Sequence, residues 1–161
     1  MKIVEIRGMN DEVVEMIASF RVELRSFKGI TSKPDLEKAK EELSEYLAHG
    51  YPVYAMVKDD RYVGYVVIRI DNEVVWVESI YVKEEYRRLG VASKLHKKAE
   101  EIAESYGNDT LYNYVHPNNH KMIEFLRKHD YTVLNLIEVR KPYKDERLSQ
   151  IISVGDHQFD Y

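Results

Sequence analysis

The chain has 161 residues, enough for one domain with a substantial core. Acidic residues exceed basic ones by four, 28 against 24, a mild excess that argues against wholesale binding to nucleic acid or an anionic membrane. The absence of cysteine excludes disulfides, thiolate catalysis and cysteine-ligated metals.

The first residues, Met1-Lys2-Ile3-Val4-Glu5-Ile6-Arg7, alternate as a strand over 2–7 and lack the apolar run of a signal peptide. Val13, Val14, Ile17 and Phe20 recur at helical spacing and predict a helix over 10–27, with Asn10 or Asp11 as its cap. A second helix over 34–48 follows Ser32-Lys33-Pro34 and stops before Gly50. Segments 53–58, 62–70 and 74–83 are rich in Val, Ile and Tyr, and Asp59-Asp60 and Asp71-Asn72 mark tight turns between them, so the middle of the chain reads as an antiparallel meander. A helix over 91–106 ends at Gly107, and it is followed by a strand at 110–116, a helix at 118–129 and a strand at 132–140. No segment approaches the roughly 18 apolar residues needed to cross a bilayer, so a soluble, cytoplasmic protein is expected.

The order β-α-α-β-β-β-α-β-α-β predicts one α+β domain over 1–161, its helices covering a mainly antiparallel sheet of six or seven strands. The tail, 141–161, offers the last of these strands around 149–154, to pair with 132–140, and leaves its final residues loose or docked on a partner. A homodimer through this C-terminal strand is left open. Thirteen tyrosines suit strands and half-buried sheet faces, and a few of them are free to serve a site.

The stretch EEYRRLGVAS, residues 84–93, sits where the third meander strand meets the mouth of a helix. A helix N-terminus carries unpaired N–H groups and about half a positive charge, and so attracts anions. Gly90 and Ala92 keep side chains clear of those groups, Arg87 and Arg88 add charge, and Ser93 adds a hydroxyl, which together describe a cradle for pyrophosphate. Gly90 alone is equally a device for a tight strand-to-helix connection, with Arg87 and Arg88 simply facing water. Other phosphate motifs do not fit: GxGxxG is absent, and GVASK lacks the first glycine and the Gly-Lys pair of a P-loop.

Arg87-x-x-Gly90-x-Ala92, between a strand and a long helix, resembles the signature of the GCN5-related N-acetyltransferase (GNAT) family. The segment YVHPNNHKMIEFLRKHDYTVL resembles that family's next strand-then-helix unit, with Asn119 starting the helix and Tyr131 following its end. The resemblance covers roughly residues 51–140, and the first 50 match only in pattern. It implies acetyl-CoA as co-substrate, with the pyrophosphate on the backbone N–H groups of Arg88, Leu89, Gly90, Val91, Ala92 and Ser93. The pantetheine arm is expected along Ile80, Tyr81 and Val82, like an added strand where the fourth and fifth strands splay apart. Asn119 would add a side-chain contact, and a backbone N–H in 80–82 would stabilise the oxyanion.

Acetyl transfer to an amine requires a base. Glu78 is the first choice, as the only acid in VVWVESIYV, sharing a side with Trp76 and Ile80 by alternation; a salt bridge to a neighbouring strand is the competing role. Tyr114, five residues before Asn119, is a position where several relatives carry a base or an ordering residue, and it is also suited to packing. Many relatives carry a tyrosine seven residues after the asparagine to protonate the leaving thiolate. Here that residue is Leu126. A thiol with a pKa of about 8.5 can leave unassisted. His116, His120 and His129 match no standard zinc spacing, so no metal is expected. The resulting expectation is an acetyl-CoA-dependent N-acetyltransferase acting on a primary amine (protein N-terminus, lysine or small amine), with 27–35 facing the acceptor. A non-catalytic acetyl-CoA sensor is the rival.

Overall fold

The computed structural model describes all 161 residues, which form two compact units, 1–116 and 117–161. The first holds a five-stranded sheet, β1 (Lys2–Glu5), β2 (Val53–Lys58), β3 (Arg61–Asp71), β4 (Val74–Val82) and β5 (Tyr112–Asn113), ordered as numbered. All neighbours are antiparallel except β4 and β5, which are parallel. The sheet thus has five strands where six or seven were expected.

The helices of this unit follow their sequence signals closely. Helix α1 (Asp11–Ser26) starts under Asn10, whose side chain accepts from the Val13 N–H, and α2 (Leu36–Ala48) starts under Asp35, which accepts from Lys38. Pro34 therefore lies just ahead of the cap and not in the first turn. Both helices lay their apolar stripe on one face of the sheet: Val13, Ile17, Ala39 and Leu43 join Val53, Ala55, Tyr65 and Val67 in one buried cluster. Full burial of each Val, Ile or Leu side chain among these stabilises by about 1.5–3 kcal/mol.

Helix α3 (Val91–Ser105) packs on the opposite face, where Gly64 permits a close approach. A Cβ at Gly64 would stand 2.9 Å from the Tyr81 carbonyl oxygen and 3.1 Å from Val91 Cγ1. The missing side chain therefore lets the first residue of α3 sit down on the sheet.

The two hairpins use turns with two left-handed residues. Asp59 and Asp60 connect β2 to β3, with φ of 49° and 58°. Asn72 and Glu73 connect β3 to β4, with φ of 48° and 66°, one residue beyond the expected Asp71-Asn72 because Asp71 still pairs with Val74. Asparagine takes the left-handed conformation more readily than most residues, which favours the observed placement.

The second unit contains α4 (His120–Lys128) and a hairpin of β6 (Ile151–Val154) and β7 (His157–Asp160). This overturns the expected strand at 132–140 and its pairing with 149–154. Residues 132–140 carry no strand, and 151–154 pair instead with 157–160 across Gly155-Asp156. A two-residue turn closes a far shorter loop than the alternative, which would have to bring the chain back through Pro142. Gly155, at φ 57°, supplies the positive φ that such turns require.

Candidate active site

The strand β4 runs through a short 3-10 turn, Glu84–Tyr86, into the Arg-Arg-x-Gly stretch. Arg88 and Gly90 both take left-handed backbone, φ 63° and 77°, and reverse the chain into α3. The Lys94 N–H donates to the Gly90 carbonyl at 3.1 Å, so the N–H groups of Val91, Ala92 and Ser93 lie ahead of the first helical bond. No side chain caps them, and the first turn of α3 contains no acid. The other three helices are each capped by a side chain, from Asn10, Asp35 and Asn119. Helix α3 therefore presents its donors and its positive dipole end openly, beside the exposed residues Arg88, Leu89 and Gly90.

Arg87 behaves differently from its neighbour. Its Nε donates to the Val82 carbonyl at 2.9 Å and its Nη2 to Glu23 of α1 at 2.7 Å, while the guanidinium lies over the Tyr81 ring. Its charge is engaged by Glu23 and its Nε by the end of β4, whereas Arg88 is exposed beside the helix mouth.

Beside this mouth the sheet opens. Strand β5 pairs with β4 only at Trp76↔Tyr112 and Val77↔Asn113. Residues Glu78 to Val82, including Ile80 and Tyr81, consequently have β3 on one side and no strand on the other. A bulge falls at the same place: Val67 pairs with Ser79 and Ile68 with Val77, which leaves Glu78 as the extra residue. The bulge also corrects a face assignment. Ile80 pairs with Val66, on the α3 side, whereas Glu78 reaches Arg69, which pairs with Trp76 on the other side. Strict alternation had grouped Glu78 with Ile80, and the inserted residue breaks that count.

Glu78 and Tyr114 are both held by Arg69. The Arg69 Nε lies 3.7 Å from Glu78 Oε2, and its Nη2 donates to the Tyr114 hydroxyl at 3.2 Å. The guanidinium also stacks on Trp76, 4.5 Å from the ring centre, and lies 5.3 Å from the centre of the Tyr114 ring. Arg69 and Glu78 are 27% and 29% exposed, so the carboxylate is open to solvent. Arg69 was absent from the sequence-derived set. The available signal was a lone cation in the apolar run VVIRI, mirroring the lone acid in VVWVES.

On the other face, His96 of α3 is buried and its Nε2 lies 3.1 Å from Asn113 Oδ1, tying α3 to β5. At the end of α1, a pocket of about 260 Å³ is lined by Val22, Ser26, Gly29, Ile30, Thr31 and Ser32, within or beside the segment expected to face the acceptor. In the second unit Asn119 Oδ1 accepts from the Met122 N–H at 3.1 Å, so this oxygen is committed to starting α4, and Leu126 is the buried residue of that helix. No group of three or more His, Cys, Asp or Glu is arranged to hold a metal ion, and no helix is long and apolar enough to cross a membrane.

The chain is similar in fold to a probable acetyltransferase, at 22% identity and a TM-score of 0.65, over 91% of this chain and all of the other. It is similar to AAC(6')-Iy in complex with a bisubstrate analogue, CoA-S-monomethyl-acetylneamine, at 20% identity and a TM-score of 0.64, over 88% and 98% of the two chains. A ribosomal-protein-alanine N-acetyltransferase from Brucella melitensis biovar Abortus 2308 aligns at 14% identity and a TM-score of 0.64, over 89% of this chain and all of that one. No curated protein matches the sequence. The model of the acetyltransferase (GNAT) family matches residues 15–131, most of the chain. The chain belongs to the GNAT family of acetyltransferases, enzymes that draw their acetyl group from acetyl-CoA.

Proposed function

We propose that this acetyltransferase transfers its acetyl group to a primary amine by direct attack of the amine on the thioester, with Glu78 as the base. The observation that carries the reading is the juxtaposition of three features on β4 and α3. The uncapped N-terminus of α3 receives the pyrophosphate on the N–H groups of residues 88–93. The open edge of β4 over Ile80, Tyr81 and Val82 receives the amides of the pantetheine arm as a strand would. The carboxylate of Glu78 stands at the bulge where that edge begins.

Acetyl-CoA, when bound, supplies an activated acetyl group and a thiolate that leaves readily. Everything else falls to the chain. Glu78 accepts the proton of the amine, which is largely protonated at neutral pH because its ordinary pKa is about 8 for an α-amine and about 10.4 for a lysine. A backbone N–H at the open edge donates to the oxygen that gains charge. Tyr114 and Trp76 hold Arg69, and Arg69 fixes the position of the Glu78 carboxylate. The pocket at the end of α1 accommodates part of the acceptor.

The rival reading, an acetyl-CoA sensor without turnover, draws on Leu126, which stands where many relatives place a proton-donating tyrosine. The deciding experiment is a panel of peptides with free N-termini, lysine peptides and small amines, assayed for CoA release. Release with any one class establishes transfer and names the acceptor. CoA binding without release across the whole panel would favour the sensor.

A further inference from the structure

The stretch entering α3 has little backbone bonding to hold it. Arg87 N–H reaches the Glu84 carbonyl at 3.2 Å, and regular bonding resumes only at Lys94. Between them, two left-handed residues reverse the chain. The path of this segment must therefore be set by something other than regular secondary structure.

The Arg87 side chain is that device. It reaches back to the carbonyl that ends β4, at 2.9 Å, and across to Glu23 of α1, at 2.7 Å. Arg87 and Glu23 are only 27% and 30% exposed, and the Tyr81 ring lies beneath the guanidinium, 5.5 Å from its carbon. Tyr81 in turn contacts Phe20, one turn before Glu23 on α1. Strand end, helix and loop thus meet at one guanidinium, and Glu23 is the charge that holds it there.

We propose that Glu23, acting through Arg87, is a positioning residue for the loop that receives the pyrophosphate of acetyl-CoA, an inference that rests on the acetyl-CoA site described above. With the latch in place, the N–H groups of residues 88–93 are arranged before the ligand arrives. Without it, binding must order the loop and is weakened by that entropy. The latch touches neither Glu78 nor the pocket at the end of α1. It does bond the Val82 carbonyl and lie on Tyr81. These strand residues are already held by their pairing with Gly64 and Tyr65 of β3, so the effect belongs to the phosphate end of the ligand.

The test uses the full chain and two probes, CoA and pantetheine, the second lacking every phosphate. Affinities are measured by calorimetry for CoA and by NMR titration for pantetheine, on the parent, Glu23→Gln, Glu23→Ala, Arg87→Ala and the double Ala variant. Losing a charge-assisted hydrogen bond of this kind should weaken CoA roughly tenfold, while the ratio of CoA to pantetheine affinity falls by nearly the same factor. The double variant should bind CoA no worse than Arg87→Ala alone, since both substitutions break one latch. Glu23→Gln retains the shape of the side chain and serves if Glu23→Ala fails to fold. An equal loss for both probes, or additive losses in the double variant, would overturn the proposal by showing a general role for Glu23 in stability. A parent that binds CoA while its Glu23 variants bind equally overturns this inference alone; a parent that binds no CoA overturns the acetyl-CoA reading with it.

Discussion

Arg69 stands 3.7 Å from the Glu78 carboxylate across the β4 bulge. The pairing shows why an acid and a base are tolerated in two adjacent apolar strands: each is half-buried, and each compensates the other. It also leaves Glu78 with a second oxygen and a route to solvent, which a base needs and a purely structural ion pair does not.

Glu78→Gln should therefore lower turnover by roughly 10²–10⁴-fold while leaving the acetyl-CoA dissociation constant nearly unchanged. The deficit should shrink as pH rises, because an amine deprotonated by the solvent needs no base. Rate profiles of parent and variant across pH check this. Equal activity throughout would reject Glu78 as base and turn attention to Tyr114.

Acetyl-CoA should raise the melting temperature of the parent, as any ligand selective for the native state does. Gly90→Glu should abolish that rise. Space at Gly90 is open, with no atom within 4 Å of an added Cβ, but its φ of 77° strains any side chain and the new carboxylate would meet the phosphates. The unliganded variant should still fold, at a cost of about 1–2 kcal/mol. A normal ligand-induced shift in the variant would place the pyrophosphate elsewhere.

Beneath the bulge, the Tyr65 and Ser79 hydroxyls form a hydrogen bond of 2.8 Å between two buried side chains. Tyr65→Phe leaves the Ser79 hydroxyl without its partner and should cost about 1–3 kcal/mol. Adding Ser79→Ala should recover part of that loss, since no polar group is then stranded. Denaturant midpoints of the two single variants and the double variant measure the coupling, and strictly additive losses would show that the bond contributes nothing specific.

Burial, with Lys28 as a smaller contributor, holds the His116 pKa below its ordinary 6.5. The folded chain thus prefers the neutral ring, while the unfolded chain takes up a proton at about 6.5. This group makes no difference to stability well above that pH. Stability falls as pH drops through 6.5 toward the lower folded-state value, because the unfolded state then binds the extra proton. His116→Phe keeps an aromatic ring beside Phe27 and should flatten this part of the profile. Melting curves from about pH 8 down to about pH 5 that run parallel for parent and variant would contradict the assignment.

The four helices, the three-stranded meander and the Arg-Arg-x-Gly mouth of α3 were legible in the sequence, because each is encoded by neighbours in the chain. Helical spacing of Val13, Val14 and Ile17 selects a face, Asn10 and Asn119 satisfy N–H groups three residues on, and Gly90 permits a backbone conformation costly for other residues. What the sequence concealed depends on pairing between distant segments. Alternation along β4 predicts one face for Glu78 and Ile80, but the register against β3 inserts Glu78 as a bulge and separates them. The apolar run 132–140 has the composition of a strand, yet the tail closes on itself through Gly155-Asp156, where the loop is shortest. Arg69 is not singled out for a role by its neighbours in the chain, and Arg87 reads, with Arg88, as a charge for the phosphate cradle or a residue facing water. Only folding brings Arg69 to Glu78 and Tyr114, and Arg87 to Glu23, 64 positions away in the chain. A half-buried charge takes its role from whichever opposite charge the tertiary structure places within reach, and that choice is not written in the residues beside it.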